Sequence, residues 1–232
     1  MTDNKSKTEE RMKENMTVIL NTVKTVIVNP VGFFRTMPRS GGFTDPIIFV
    51  AGIGIIVGLI NLILSVVGFG FAGSFGMALL FVILTPIFAV IFGFLGAAIM
   101  FVIWKIMGSQ ESFESAYRCC AYASGITPVT TIIGIVPYLG TILGMVWMTY
   151  LVVCASIEVH AIKAKLAWIV FGILFGLFLV MNLSATYSAR QFSSEMEGWS
   201  HSQEEFEKMT PEEKGKAVGK FLKGMQEAVE KE

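Results

Sequence analysis

Residues 77–104 read MALLFVILTPIFAVIFGFLGAAIMFVIW, and none of these 28 residues carries a charge. A helix needs about 20 predominantly apolar residues to cross the hydrocarbon layer of a bilayer. Four further runs, each with at most one charged residue, lie at Pro46–Val67, Ala116–Val136, Leu139–Ile162 and Leu166–Leu183. The sequence therefore predicts an all-α, polytopic membrane helix bundle with five transmembrane helices. The run at 77–104, the second along the chain, would form about 42 Å of helix, so we expect it to tilt, project or bend at Pro86.

The composition agrees with a membrane protein, because 53% of the 232 residues are hydrophobic and only 16% are charged. Soluble domains of this size rarely show that balance. The charges are concentrated outside the apolar runs. We therefore predict a cytoplasmic N-terminal segment (1–45), a five-span membrane domain (46–183) and an extracytoplasmic polar tail (184–232). The net charge of zero indicates no class of partner, and we expect no nucleic-acid partner.

Basic residues occur at every second boundary between the apolar runs, which sets the expected orientation. Seven precede the first run, Lys105 and Arg118 flank the third boundary, and Lys163 and Lys165 fill the fifth. The connectors at 68–76 and 137–138 carry none. Cytoplasmic loops are enriched in Lys and Arg. We therefore predict a cytoplasmic N-terminus and, after five spans, a C-terminus on the opposite side.

The N-terminal segment contains an amphipathic pattern. Six apolar residues recur at helical spacing: Met16, Ile19, Leu20, Val23, Val26 and Ile27. This pattern predicts a helix that lies in the cytoplasmic interface or packs beside the span bundle. The dipeptide Asn29-Pro30 should end it.

The tail carries two helix-start signals, at Ser202–Glu205 and Thr210–Glu213, which both match a capping box. Beyond the second, Phe221, Leu222 and Met225 belong to one apolar stripe. We expect this stripe to dock on a protein partner, for example a second copy in a homo-oligomer; a solvated, marginal helix is the alternative.

No constellation in the sequence predicts catalysis, a bound cofactor or a metal site. The two histidines, His160 and His201, match no ligand pattern, and the three cysteines show no CxxC spacing. We therefore do not expect an enzyme. For Glu158, which lies two residues before His160, the favoured interpretation is pairing with a nearby lysine such as Lys163. A proton relay is the alternative.

The third apolar run is the most polar of the five. Ser124, Thr127 and Thr131 share one helical face, and Pro128 removes a backbone hydrogen bond. In lipid, such a helix must be covered by neighbours or face a wet cavity. These three hydroxyls and Glu158 are our candidate polar-site residues for a small transporter or channel. Three GxxxG pairs favour close helix packing: Gly54/Gly58, Gly140/Gly144 and Gly172/Gly176.

Asn29-Pro30, Phe33-Phe34 and Asp45-Pro46 precede or open the first run, and residues 112–152 read SFESAYRCCAYASGITPVTTIIGIVPYLGTILGMVWMTYLV. By these features, over about residues 28–182, the chain resembles the Yip domain family, the Ypt/Rab-interacting ("Yip-one") proteins. The resemblance implies five spans, a cytoplasmic N-terminus and a non-enzymatic membrane protein that organises protein or lipid partners. Eukaryotic relatives bind prenylated Rab GTPases, so membrane lipids, other membrane proteins and GTPases are the partners it implies. The charged tail and short N-terminal segment depart from those relatives and suggest a prokaryotic member in the inner or plasma membrane.

Overall fold

The structure, a computed structural model, describes residues 2–69, 75–136, 138–208, 210–216, 219 and 223. Its regular elements within these ranges are helices. They are α1 (Thr2–Val28), α2 (Pro30–Thr36), α3 (Thr44–Val66), α4 (Phe75–Ile106), α5 (Phe113–Ala123), a 3-10 turn (Ser124–Ile126), α6 (Thr127–Ile133), α7 (Leu139–Glu158) and α8 (Ala164–Lys208). The prediction of a polytopic, all-helical membrane bundle is confirmed.

Four helices are each long and apolar enough to cross a bilayer: α3, α4, α7 and the part of α8 that spans 164–185. They coincide with four of the five predicted runs. The segments Met16–Val28 and Pro30–Thr36, bent by 120° at Asn29, would add a fifth crossing if they were counted together. The Asn29 side chain accepts a hydrogen bond from the Gly32 amide at 3.1 Å and so caps α2.

The third predicted span is not one helix, since it divides into α5, the 3-10 turn and α6. Ser112 caps the start of α5 by accepting a hydrogen bond from the Ser115 amide at 3.2 Å. Pro128 has no amide hydrogen for an α-helical bond to Ser124, so the chain tightens into the turn before α6 begins. Arg39, in the loop between α2 and α3, contacts both Ser115 at the start of α5 and Glu158 at the end of α7. Because α6 ends against Gly140 at the other end of α7, the broken segment traverses the bundle.

Glycines bring two pairs of segments into close contact. A Cβ atom on Gly54 of α3 would lie 2.5 Å from the Cα of Pro86, and one on Gly58 would lie 2.9 Å from the Cα of Val82. Helix α4 continues through Pro86 without a break. Likewise, a Cβ on Gly140 would meet the Gly134 backbone at 2.5 Å. Two of the GxxxG pairs therefore serve close packing within this bundle.

Helix α1 packs against the bundle along one face. Ile19 is buried with Phe49 and Ile53 of α3, and Val26 is buried in the largest apolar cluster. Met16 and Leu20, on the same predicted stripe, are about half exposed. The contacts thus favour the interpretation of a helix beside the span bundle.

The tail begins differently from the prediction. Helix α8 runs through Ser202 to Lys208, so no helix starts at the first capping box. The second is formed, because Glu213 accepts hydrogen bonds from the amide and hydroxyl of Thr210, both at 2.9 Å. By its contacts the chain divides into two compact units, 1–180 and 181–232.

Candidate functional site

Six charged side chains and Ser115 meet where the ends of α2, α4, α5 and α7 come together. We call Arg35, Arg39, Glu111, Glu114, Ser115, Arg118 and Glu158 the polar cluster. Arg35 donates two hydrogen bonds to Glu158, from Nε at 2.9 Å and from Nη2 at 3.2 Å. This bidentate geometry fixes the orientation of both groups and joins α2 to the end of α7.

Arg39 lies at the centre of the polar cluster. Its Nη1 is 2.7 Å from Oε1 of Glu111, and its Nη2 donates to the backbone carbonyl of Glu158 at 3.2 Å. The Ser115 hydroxyl lies 2.9 Å from the carbonyl oxygen of Arg39 and 3.0 Å from Oε2 of Glu111. One loop residue therefore holds the start of α5 and the end of α7 together.

Arg118 is the most buried of the six charged side chains, since only 2% of its side chain is exposed. Its Nε donates to Oε1 of Glu114 at 3.1 Å, and its Nη2 donates to the carbonyl oxygen of Gly42 at 2.6 Å. The same carboxylate accepts the Gly42 amide at 2.7 Å. Gly41 (φ 126°) and Gly42 (φ 84°) have left-handed backbone conformations, which lets the loop fold back over α5.

His160 and Trp104 form a buried pair beside the polar cluster. Their rings stack with centroids 3.9 Å apart. The Trp104 indole donates to the Ser156 hydroxyl at 2.8 Å, and Nδ1 of His160 lies 2.7 Å from the Ser109 hydroxyl. Burial, and to a lesser degree the charges of Arg39 and Lys105, lower the pKa of His160 to about 4. The imidazole is therefore neutral at neutral pH.

A cavity of about 200 Å³ lies among α3, α4, α5 and α6. Ser124 and Thr127 line it, together with Thr85 and Cys120, so the structure brings two predicted polar-site residues together. The hydroxyl of Ser124 donates to the carbonyl of Ala121 at 2.6 Å, and that of Thr131 donates to the carbonyl of Thr127 at 2.8 Å. Both donors are thus engaged within their own segment.

Glu158 belongs to the polar cluster, whereas Ser124 and Thr127 belong to the cavity. The lysine partner predicted for Glu158 is wrong, because α2 brings Arg35 to it from 123 residues away. The docking residues Phe221, Leu222 and Met225 lie outside the described residues. In the ranges that the structure describes, no group of three or more His, Cys, Asp or Glu side chains could hold a metal ion.

Sequence reasoning did not identify Arg35, Arg39, Glu111, Glu114 and Arg118 as one cluster. The available signal was that these charges all fall at boundaries assigned to one side of the membrane. That signal places them at the same depth in the bilayer but does not specify which side chains pair.

Comparison with known proteins identifies one family. A family model described as "Yip1 domain" matches residues 24–185, a range that contains the whole polar cluster, the His160–Trp104 pair and the cavity. No curated protein and no solved structure matches the chain. The matched range covers more than two thirds of the 232 residues. The chain therefore belongs to the Yip1 domain family.

Proposed function

We propose that the protein is a non-enzymatic, Yip-type integral membrane protein that organises protein or lipid partners in the membrane. The observation that carries this proposal is the family match over residues 24–185. The geometry of the polar cluster supports it, because its carboxylates and guanidinium groups bind one another and nearby backbone groups. Such an arrangement holds the ends of α2, α5 and α7 together.

The outer surface of the bundle supports the same proposal. Helices α4 and α8 are the least buried of the four long apolar helices. Exposed side chains on α4 include Ile83, Phe92 and Ile99, and those on α8 include Ile173 and Leu177. In a bilayer these faces are available to lipid or to the helices of other membrane proteins.

We further propose that the polar cluster faces the cytoplasm and that GTPases of the Rab/Ypt type are among the partners, as family membership suggests. A prokaryotic inner or plasma membrane remains our proposed location. The transport alternative gains no support, since Arg35 engages both oxygens of Glu158 and the hydroxyls of Ser124 and Thr131 bind their own helical segments.

Affinity purification from membranes in mild detergent tests the proposal. We expect the wild-type chain to recover a reproducible set of membrane or membrane-associated proteins. The variant Arg35→Glu should recover fewer of them, because it places two negative charges together at Glu158. The double variant Arg35→Glu/Glu158→Arg is the matched control and should restore recovery.

Two results would contradict the proposal. One is a chain that recovers no partner beyond those of an unrelated polytopic control. The other is solute flux or substrate turnover by the purified chain in liposomes that disappears with Glu158→Gln or Thr127→Val.

A further inference from the structure

An open groove lies between α7 and α8, at the surface of the 1–180 unit. Its volume is about 650 Å³. The walls are aromatic and the floor contains two glycines; the residues that matter here are Trp147, Tyr150, Trp168, Gly172, Phe175 and Gly176. The rings of Tyr150 and Trp168 stack at 6.4 Å near one end. The structure therefore contains an apolar surface groove that runs along the last span.

The glycines of the groove differ from those of the other two GxxxG pairs. Cβ atoms on Gly54 and Gly140 would collide with backbone, whereas a Cβ on Gly172 or Gly176 would meet no atom within 4 Å. This third pair therefore does not serve packing inside the chain. It leaves a part of the α8 surface open to a molecule that does not belong to this chain.

The end of the groove near Trp168 adjoins exposed positive charge. Lys163 and Lys165 lie within one or two turns of Trp168 and are exposed. The nearest carboxylate in sequence, Glu158, is engaged by Arg35. Among the described residues, no carboxylate forms an ion pair with either lysine. This end of the groove therefore attracts an anionic group.

The shape and chemistry of the groove match a lipid. From Trp168 to Leu179 the groove follows about 17 Å of α8 at 1.5 Å per residue, and its lining is almost entirely apolar. A phospholipid joins an anionic headgroup to hydrocarbon chains, which fits positive charge at one end of the groove and apolar walls along it.

We propose that the groove binds an anionic phospholipid from the surrounding bilayer. Its phosphate lies at Lys163 and Lys165, and one acyl chain runs over Gly172 and Gly176 between Trp147 and Trp168. The inference rests on the proposed function, because it names the class of lipid partner. It adds a specific site and a preference for headgroup charge.

Tryptophan quenching by brominated lipids tests this site. The full chain carrying Trp199→Phe is reconstituted in phosphatidylcholine vesicles that contain a small fraction of brominated phosphatidylglycerol or brominated phosphatidylcholine. Trp147 and Trp168 line the groove, whereas Trp104 is buried and should respond little. We expect half-maximal quenching at a several-fold lower mole fraction of the anionic lipid.

Matched variants separate the headgroup from the chain. Lys163→Gln/Lys165→Gln should abolish the difference between the two lipids, while the exposed Lys24→Gln should preserve it. Gly172→Leu should reduce quenching by both lipids. Gly96→Leu, which also adds a side chain in open space but on α4, should not. Circular dichroism and size-exclusion profiles confirm that each variant is folded.

Equal quenching by the two lipids in the wild-type chain would overturn the proposal. So would efficient disulfide cross-linking of Gly172→Cys between two copies at low protein-to-lipid ratio, because a second copy would then occupy the groove. Partner recovery in the affinity purification is measured independently. A lost lipid preference with intact partner recovery therefore refutes the lipid site alone.

Discussion

At the scale of single residues, burial determines how much each ion pair of the polar cluster stabilises the fold. Arg118 is 2% exposed, whereas Arg35 is 66% exposed. Removing one partner of a buried pair leaves an uncompensated charge, at a cost of about 3–5 kcal/mol. An exposed pair is screened by solvent and is worth about 1 kcal/mol or less.

We therefore predict that Glu114→Gln lowers the free energy of unfolding by about 3 kcal/mol and that Arg35→Gln lowers it far less, because Arg35 is exposed to solvent. Chemical or thermal unfolding in detergent micelles measures both. Equal losses in the two variants would show that the burial of Arg118 does not control the stability of the cluster.

His160 should make stability depend on pH. Its pKa is about 4 in the folded chain and near 6.5 in the unfolded chain, so between these values only the unfolded state binds the proton. The stabilisation is fully present above pH 6.5 and is lost as the pH falls toward 4; the full difference is about 3 kcal/mol. His160→Asn should flatten the dependence of the unfolding midpoint on pH in this window. His201→Asn is the control and should retain the slope of the wild-type chain.

At the scale of helices, glycine positions distinguish close packing from open surface. We predict that Gly54→Leu destabilises the bundle by about 3 kcal/mol or more, because its Cβ would already meet the Pro86 backbone. Gly96→Leu should leave stability unchanged or slightly raised, since the added side chain meets open space and improves helix propensity. Unfolding midpoints in detergent compare the two. A similar loss in both would mean that the contact between α3 and α4 is looser than the structure shows.

The helices also show how far the sequence alone could predict this fold. Apolar length located α3, α4, α7 and the start of α8 to within a few residues, because crossing a bilayer imposes that length. Helix α8 continues past the predicted run, from Leu183 to Lys208, where the sequence is polar. Pro128 and the hydroxyl residues marked the third run as irregular. These residues did not indicate where α5 would end, because the end of α5 depends on how tightly the chain turns at Ser124.

The candidate site was less predictable than the helices. The pairing of Arg39 with Glu111 depends on how two loops meet, and that of Arg35 with Glu158 depends on how α2 packs against the end of α7; neither follows from spacing along the chain. The stacking of His160 on Trp104 likewise requires that α4 and the α7–α8 turn meet. Periodicity and composition describe single elements, so they cannot predict which side chains from different elements will contact each other.

At the scale of the whole molecule, the distribution of charge leads to a test of orientation. The polar cluster and Lys163 lie toward one end of the bundle, and exposed Phe69 lies in the connector after α3 at the other. We predict that a membrane-impermeant thiol reagent applied to intact cells labels Phe69→Cys and fails to label Lys163→Cys, because positively charged loops face the cytoplasm. Permeabilised cells should show labelling of both. The reverse pattern in intact cells would invert our proposed topology.

The tail stripe gives a second whole-molecule prediction. Side chains the size of Phe221 and Leu222 each favour burial by about 1.5–3 kcal/mol, so we expect them to dock on a protein surface. Changing both to Ser should reduce the size of the complex in mild detergent without affecting membrane insertion. An unchanged complex, together with unchanged proteolysis of the tail, would identify a solvated helix.

The ion pair between Arg35 and Glu158 also constrains the order of events during biosynthesis. The two residues are 123 positions apart. A ribosome that adds 5–20 residues per second needs roughly 6 to 25 s to proceed from one to the other. Helix α2 is thus synthesised well before α7, and it acquires its partner only after α7 has emerged. During that interval Phe34, fully buried in the finished bundle, has to be shielded by lipid or by the insertion machinery. Helix α2 is consequently fixed in place only after the helices between it and the end of α7 have been made.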